Sequence, residues 1–303
     1  MRVLVTGWFS FEGMGTTAGD LMCKDVVCRW LDEAGIGYNV AANAELQIKE
    51  AVDWKQVNAE MYSDVIFVCG PFGNGWPVTE LLDRFSHCRL TGMNLSLLQR
   101  LEEWNPFDLL YERDNFYSSY PDLAMAAEPR KVPVVGVIYA HKQKEYGQRA
   151  LHDTANEAIA KLVESRDLSV VPIDTVIVNN KYGLNTADQI ESLISKMDVV
   201  ITTRLHGTVL AIKHHVPVIA IDPIAGGAKV SLQAKALDWP VVFGADTLQY
   251  GQLQEAFDFC LTPQARREAI RCSTRALEII NSRKRDFIGQ IRNFDENLLK
   301  ENA

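Results

Sequence analysis

The fold is decided by one stretch, Asp198-Val-Val-Ile-Thr-Thr-Arg-Leu-His-Gly-Thr-Val-Leu-Ala-Ile-Lys213, in which an apolar, β-branched run passes directly into a helical pattern. A short strand that is apolar on both faces and leads into a helix is typical of a parallel sheet covered by helices. The arrangement is repeated at once, because the apolar run from Pro217 to Asp222 precedes a second helix start at Gly226-Gly-Ala-Lys229. This stretch therefore predicts an α/β fold.

The same alternation of strands and helices extends in both directions along the chain. Upstream, the pattern predicts strands over residues 2–6, 38–41, 64–69, 93–97 and 108–111, and helices around 17–34, 77–86 and 97–104. After a proline-rich seam near residue 130, it predicts strands over 134–139, 169–178, 198–202, 216–221 and 240–243, and helices over 146–166 and 186–196, from 204 and from 227. We therefore expect two Rossmann-like, doubly wound domains, 1–130 and 131–303, facing a cleft, with a helical C-terminal tail from residue 252.

Composition excludes several classes of protein. The 303 residues are 47% hydrophobic, and 31 basic against 39 acidic residues give a net charge of −8. A chain with this acidic balance is not expected to bind nucleic acid. The apolar runs are about half the roughly 20 residues that a membrane span needs, and the first residues do not resemble a signal peptide, so we expect a cytoplasmic protein. The six cysteines lack a CxxC or metal-ligand spacing, which predicts reduced thiols and no metal site.

The junction at Thr203 predicts an anion site. If Thr203 caps the helix, Arg204 and His206 lie in its first turn, where backbone N–H groups and the helix dipole favour a negative charge. Arg204 adds a planar fork that matches carboxylate or phosphate, His206 beside the anion is suited to act as a general acid, and Gly207 leaves room for close approach. Alternatively, Arg204 pairs with a carboxylate across the domain seam and His206 merely packs.

Further candidate cations follow other predicted strands. Gly226 and Gly227 are expected to expose backbone N–H groups, and Lys229 to supply a point charge for a phosphate. The alternative, which the sequence favours equally, is that the two glycines form only a tight turn and that Lys229 is exposed to solvent without a ligand. Arg113 ends a strand in the first half and is either a donor ligand or the partner of Glu112 or Asp114 in a surface ion pair.

Three residues are candidates for contacting an acceptor or acting as general base. These are His141 and Glu145, which follow the strand ending near Ala140, and Asp20, which follows the opening glycine loop. That loop, Gly13-Met-Gly15-Thr-Thr-Ala-Gly19, has one residue too many for a dinucleotide fingerprint and lies about six residues beyond the first strand. It is therefore interpreted as a flexible glycine loop or a set of turns, and not as a site for NAD or FAD.

Asp198 to Lys229 resembles the polysaccharide pyruvyl transferase family, whose members carry an aspartate before a strand, then Arg-Leu-His-Gly, a strand after proline and a Gly-Lys pair. Looser matches occur at Gly19-Asp20, Gly70-Pro71, Glu112-Arg113-Asp114 and Pro121-Asp122, although the asparagine usual before the Gly-Asp pair is missing. The resemblance implies a fold similar to that of GT-B glycosyltransferases. It also implies transfer of a pyruvyl group from phosphoenolpyruvate to sugar or glycan hydroxyls as a cyclic ketal.

The resemblance assigns the donor to the arginines, the histidine and the lysine, which here are Arg204, Arg113, His206 and Lys229, with an acceptor site in the first domain. Phosphoenolpyruvate is then a co-substrate, and neither a cofactor nor a metal is required. Two other functions remain open. One is a nucleotide-sugar glycosyltransferase, which needs an acidic residue such as Asp222 to hold a ribose. The other is a non-catalytic anion-binding module.

Overall fold

The computed structural model describes residues 2–116, 118–140 and 144–301, with side chains as far as residue 292 apart from that of residue 144. The chain divides into two compact units between Arg130 and Lys131, named here unit 1 and unit 2. None of the helices in the described ranges is long and apolar enough to cross a membrane.

Unit 1 is built around a parallel five-stranded sheet in the order β2-β1-β3-β4-β5. The strands are β1 (Val3–Gly7), β2 (Tyr38–Val40), β3 (Asp64–Phe72), β4 (Arg89–Leu97) and β5 (Leu109–Asp114). Two α-helices accompany it, α1 (Ala18–Glu33) and α2 (Val78–Arg84). Apolar clusters on the two faces of the sheet centre on Phe67 and on Val5, so both faces are buried, as the apolar strands predict.

Unit 2 has a second parallel five-stranded sheet, in the order β10-β9-β8-β6-β7. Its strands are β6 (Val134–Ile138), β7 (Ser169–Pro172), β8 (Val199–Thr202), β9 (Val218–Asp222) and β10 (Val242–Gly244). The helices are α3 (His152–Glu164), α4 (Ala187–Ile194), α5 (Leu205–Lys213), α6 (Lys229–Leu237), α7 (Tyr250–Cys260) and α8 (Pro263–Glu301). The predicted pair of Rossmann-like α/β domains with a helical C-terminus is confirmed.

One predicted element is wrong, and one predicted strand is shorter than expected. The predicted helix over 97–104 is a set of turns, in which the N–H groups of Glu103 and Trp104 both donate to the carbonyl of Arg100. A single turn forms here because Leu97 still belongs to β4 and Pro106 follows closely. The predicted strand over 169–178 ends at Pro172, and the next residues form turns around Asn180, whose amide donates to the carbonyls of Asp174 and Val176.

Candidate functional site

The candidate site of unit 2 lies where the direction of chain winding reverses. From β6 the chain crosses through α3 to β7 on one side, whereas from β8 it crosses through α5 to β9 on the other. β6 and β8 are neighbours, with Val137 opposite Ile201 and Ile138 opposite Thr202. In open α/β sheets, ligands bind at the carboxyl ends of the strands that flank such a switch point. The residues after Ile138 and Thr202 therefore occupy the binding position of this sheet.

The junction between β8 and α5 is fixed by two threonines. The hydroxyl of Thr202 accepts a hydrogen bond from the N–H of Arg204 at 3.0 Å. The hydroxyl of Thr203 instead accepts one from the N–H of Ala140 at 2.7 Å, which ties the loop after β6 to this junction. The expectation that Thr203 caps α5 is therefore wrong. Arg204 is the N-cap residue, in an extended conformation, and its side chain does not cap the helix. The first-turn N–H groups of α5 thus keep their capacity to bind an anion.

Arg204 is held beside the helix start. Its side chain is 19% exposed, and Nη2 lies 3.9 Å from Oδ1 of Asp174, which follows β7. Its Nε donates to the carbonyl of Tyr139 at 3.4 Å. A guanidinium has five donors, and these two long contacts position the group without saturating it. The carboxylate partner considered in the sequence analysis thus exists, but it belongs to unit 2 itself.

His206 and Gly207 follow in the first turn of α5 with different surroundings. His206 is exposed to solvent. Gly207 is buried, and a Cβ at this position would overlap the side chain of Thr202. The absence of a side chain at Gly207 therefore allows α5 to pack closely on the end of β8. This packing, and not the approach of a ligand, is the physical reason for glycine here.

The glycine loop after β9 uses its N–H groups internally. Gly226 donates to Asp246 at 2.8 Å, and Gly227 donates to the carbonyl of Ile224 at 2.9 Å. Both glycines have φ near 75°, which favours glycine over any other residue. The N–H groups predicted to be exposed are therefore engaged, so the stated reason for donor binding by Gly226 and Gly227 does not hold. Their part in binding a donor stays a prediction.

The side chain of Asp222 holds this loop in place. Its carboxylate is fully buried and accepts hydrogen bonds from the N–H groups of Ile224 at 3.1 Å, Ala228 at 2.7 Å and Ser231 at 2.8 Å. Because Ala228 and Ser231 are the N-cap and third residues of α6, the negative charge of Asp222 already occupies this helix start. Of the helices that follow β8 and β9, α6 is thus occupied by a carboxylate, whereas no described side chain caps α5.

Lys229 opens α6 and belongs to a cluster of cations that the sequence analysis partly missed. Its Nζ lies 6.0 Å from the ring centroid of Tyr146, and the guanidinium carbon of Arg149 lies 5.8 Å from the same ring. Pairing of Ala150 with Ile224 brings the two loops together. Arg149 follows the same strand as Glu145, so its position at the sheet edge could have been predicted from the sequence. The proximity of Lys229 to Arg149, however, depends on a long-range pairing that sequence spacing does not reveal.

The other candidates are distributed as follows. Glu145 lies in this loop and is exposed, whereas His141 lies outside the described residues. In unit 1, the buried carboxylate of Asp20 accepts hydrogen bonds from the N–H and the hydroxyl of Thr17, both at 2.8 Å, and so completes a capping box with this N-cap residue of α1. The acceptor roles of all three residues stay predictions.

Arg113 is engaged within unit 1. Its guanidinium donates to Asp122 at 2.7 Å, to Asp114 at 3.2 Å and to the hydroxyl of Ser96. Although burial opposes it, the N–H of Ala124 and the Arg113 guanidinium hold the pKa of Asp122 below its usual value. The ion pair with Asp114 was one of the alternatives considered, but the strong partner is Asp122. Donor binding by Arg113 stays a prediction.

Unit 1 also contains a cavity of about 410 Å³ beside the ends of β1 and β2. Two indoles line it, the buried Trp54 and the 69% exposed Trp76, together with the exposed polar residues Glu12, Gln47, Asp53 and Lys55. The indole N–H of Trp76 donates to Glu80 at 3.1 Å, and Glu80 lies 3.5 Å from Lys55. The exposed ring is thereby held in one orientation. The sequence analysis missed this site, because its residues are scattered through loops without a motif.

Comparison with known protein families gives a match that lies mainly in unit 2. Residues 113–223 match the family model of polysaccharide pyruvyl transferases. This segment contains Arg113, Glu145, Arg204 and His206, whereas Asp20 and Lys229 lie outside it. No curated protein sequence matches the chain significantly.

The chain also matches solved structures at low sequence identity. MurG from Acinetobacter baumannii is 12% identical, with 91% of this chain and 95% of that chain covered and a TM-score of 0.31. The spinosyn rhamnosyltransferase SpnG is 13% identical, with coverage of 91% and 96% and a TM-score of 0.34. The glycotransferase of kitacinnamycin is 10% identical, with coverage of 95% and 98% and a TM-score of 0.35. The family match supports a transferase, and over residues 113–223 it confirms the resemblance to polysaccharide pyruvyl transferases that the Arg-Leu-His-Gly junction predicted.

Proposed function

We propose that the protein transfers a pyruvyl group from phosphoenolpyruvate to hydroxyls of a sugar or glycan and forms a pyruvate ketal. The observation that carries this proposal is the uncapped start of α5 at the switch point, flanked by Arg204 and His206 within the matched segment. Phosphoenolpyruvate is a small, highly charged anion. The helix dipole, free N–H groups and a guanidinium supply opposite charge where it is needed, although the whole chain is acidic.

Each residue of the site then has a chemical role. Arg204 binds the donor carboxylate or phosphate, and His206 gives a proton to the methylene carbon of the enol, which leaves positive charge on the neighbouring carbon. A sugar hydroxyl attacks that carbon and loses its proton to a base, for which Glu145, His141 and Asp20 are the candidates. The bond from this carbon to the phosphate oxygen then breaks, and a second hydroxyl bonds to the carbon, gives its proton to the departing phosphate and closes the ketal ring. Lys229 and Arg149 are placed near enough to Tyr146 to form one cationic patch for the departing phosphate.

The sugar acceptor is assigned to the cavity of unit 1. An exposed indole held by Glu80 offers a flat apolar face to the C–H groups of a sugar ring, while the polar residues Glu12, Gln47 and Asp53 face its hydroxyls. Glu12 and Asp53 outweigh Lys55 in charge, which favours a neutral sugar. We expect Trp76→Ala to lower affinity for neutral methyl glycosides, measured by saturation-transfer NMR. Trp30→Ala, which removes another exposed indole on α1, should not change it.

Thermal-shift titration followed by product analysis tests the proposed function. A ligand that binds the folded state raises the melting temperature by mass action. We expect stabilisation by phosphoenolpyruvate but not by UDP, GDP or thymidine diphosphate. With a panel of glycosides present, ³¹P NMR should show release of inorganic phosphate. Stabilisation by a nucleotide alone would favour a glycosyltransferase. Binding of phosphoenolpyruvate, without release of its phosphate in the presence of any glycoside, would favour a non-catalytic anion-binding module.

A further inference from the structure

Two buried thiols meet under the start of α1 in unit 1. Cys23 of α1 is fully buried, and Cys69 of β3 is 3% exposed. Their sulfur atoms and a carboxylate oxygen of Asp122 all lie within 4.8 Å of one another. This pair was not predicted, because the two residues are 46 positions apart in the sequence and belong to no motif.

Both hydrogen-bond donors and carboxylates surround the two sulfur atoms, and Sγ of Cys23 itself donates to one of these carboxylates at 3.5 Å. The side-chain amide of Asn94 points its Nδ2 at Cys23, 3.3 Å from Sγ, and at Cys69, 3.5 Å from Sγ. Nη1 of Arg113 lies 3.8 Å from Sγ of Cys69. Asn94 is fixed in this orientation because its Oδ1 accepts the N–H of Leu123 at 3.0 Å. Converging N–H groups and a guanidinium stabilise a negative sulfur, whereas a metal ion between the ligands would face these donors directly.

The two thiols differ in acidity. The hydrogen bond from Cys23 lowers the pKa of Cys69, even though burial and the facing carboxylates of Asp20 and Asp122 act in the opposite direction. The same hydrogen bond, followed by burial, raises the pKa of Cys23. Cys69 is therefore the more acidic of the two thiols, and Cys23 is the one that holds its proton more tightly. This division gives one nucleophilic sulfur and one resolving thiol side by side.

The backbone is strained at the same place. Cys69 has φ of 64° and Asn94 has φ of 60°, in the left-handed region that non-glycine residues seldom occupy. The pairing of β4 with β5 also shifts its register between Met93 and Leu95. Strain of this kind persists only where the surrounding structure enforces it, and it is concentrated at functional sites.

We propose that Cys23 and Cys69 are a redox-active pair that a small hydroperoxide oxidises to a reversible disulfide. The Cys69 thiolate attacks one oxygen of hydrogen peroxide, the O–O bond breaks, and hydroxide leaves as Cys69 becomes a sulfenic acid. Sγ of Cys23 then attacks the sulfenic sulfur, the S–O bond breaks, and the hydroxyl leaves as water with the proton of Cys23. The pair loses two electrons, which the peroxide accepts.

The surroundings favour a small oxidant. A cavity of about 450 Å³ is lined by Asn94 and Tyr120, so an open space lies against the residue whose amide contacts both sulfurs. The two cysteines are themselves buried, which excludes bulky aromatic disulfides as the oxidant. The disulfide would join α1 covalently to β3 and remove the thiol that Arg113 and Asn94 contact.

The test uses the full chain, freed of reductant and treated with low-millimolar hydrogen peroxide. After alkylation and digestion, mass spectrometry should show a peptide linked through Cys23 and Cys69 that dithiothreitol separates, while Cys28, Cys260 and Cys272 remain thiols. Cys23→Ser should leave Cys69 as a sulfenic acid that dimedone traps. Cys69→Ser should leave Cys23 unoxidised, and Cys260→Ser should still form the linked peptide.

Other outcomes overturn the proposal. If Cys23 and Cys69 are recovered as free thiols after peroxide treatment, the pair is only a part of the core. Oxidation of Cys23 in Cys69→Ser at the rate seen in the unaltered chain would reverse the assigned roles. Zinc that copurifies in one equivalent per chain and is lost in both single variants would show a metal site instead. Cys23→Ala and Cys69→Ala serve as second variants if a serine is not tolerated at either buried position.

Discussion

Arg204 is the residue on which the proposed donor site depends most directly. Arg204→Lys keeps the positive charge but loses the fork that can bind a carboxylate or phosphate through two donors. We expect transition-state stabilisation to fall by about 1.5 to 3 kcal/mol, measured as kcat/KM for phosphoenolpyruvate. The melting temperature should hardly change, since the contact with Asp174 is long.

The control for Arg204 is Arg166→Lys, which alters another arginine of unit 2, paired at the surface with Asp258. It should leave kcat/KM unchanged. A lowered melting temperature in Arg204→Lys with unaltered donor affinity would show that Arg204 is a structural residue of unit 2.

His206 tests proton transfer separately from binding. Its exposed ring lies in the first turn of α5, where it can reach a donor bound at the helix start. We expect His206→Gln to keep the affinity for phosphoenolpyruvate within a few-fold while turnover falls about 10²- to 10⁴-fold, the usual contribution of a positioned acid. His214→Gln, at the opposite end of the same helix and paired with Glu191, is the matched control. Lost donor affinity with normal turnover would exclude the acid role.

At the scale of elements, Asp222 connects β9 to α6. Asp222→Asn places an amide N–H₂ or a weaker acceptor opposite the N–H groups of Ala228 and Ser231. We expect a loss of about 1 to 3 kcal/mol in the free energy of unfolding, or roughly 2 to 10 °C in melting temperature, measured by calorimetry. Asp258→Asn, which alters an exposed ion pair, should have little effect. If Asp222 instead held a ribose, the variant would melt normally and lose affinity for nucleotides.

The elements also show which features a sequence can predict. The junction of β8 and α5 was predictable, because a strand and the helix that follows it are encoded by adjacent residues, and so were the two sheets. The capping of that helix was not, since the hydroxyl of Thr203 binds Ala140, more than sixty positions away. The engagement of Gly226 by Asp246 and the meeting of Arg149 with Lys229 are also tertiary contacts that leave no local pattern.

At the scale of the molecule, exposed carboxylates tie the outer helices of unit 2 together. Hydrogen bonds from Arg271, and then the charge of Arg275, lower the pKa of Asp238 at the end of α6. Lys213 and His214 of α5 similarly lower the pKa of Glu191 of α4. A carboxyl whose pKa is lower in the folded state stabilises the fold above its unfolded pKa near 4, and this stabilisation is lost as pH falls through the folded pKa.

The melting temperature should therefore be nearly constant down to about pH 5 and fall below it. Asp238→Asn should lower the melting temperature at neutral pH and flatten its acid dependence, measured by calorimetry at several pH values. Asp167→Asn, at another exposed position of unit 2, should keep the full dependence. An unchanged acid slope in Asp238→Asn would show that the interactions with α8 do not contribute to stability.

The largest-scale question is whether donor binding resides in unit 2 alone. Unit 2 has its own sheet and a continuous apolar core, which α8 completes by burying Ala265, Ala269 and Cys272. Arg113, the donor candidate of unit 1, already has Asp122 and Asp114 as partners. We therefore expect a fragment of residues 131–303 to fold, as judged by a cooperative thermal transition in circular dichroism. Its dissociation constant for phosphoenolpyruvate should lie within about threefold of that of the full chain, a difference below 1 kcal/mol.

Arg204→Lys in the fragment should weaken this binding as it does in the full chain. If the folded fragment binds tenfold or more weakly, and Arg113→Lys weakens binding to the full chain by a similar factor, then Arg113 belongs to the donor site and the site needs both units.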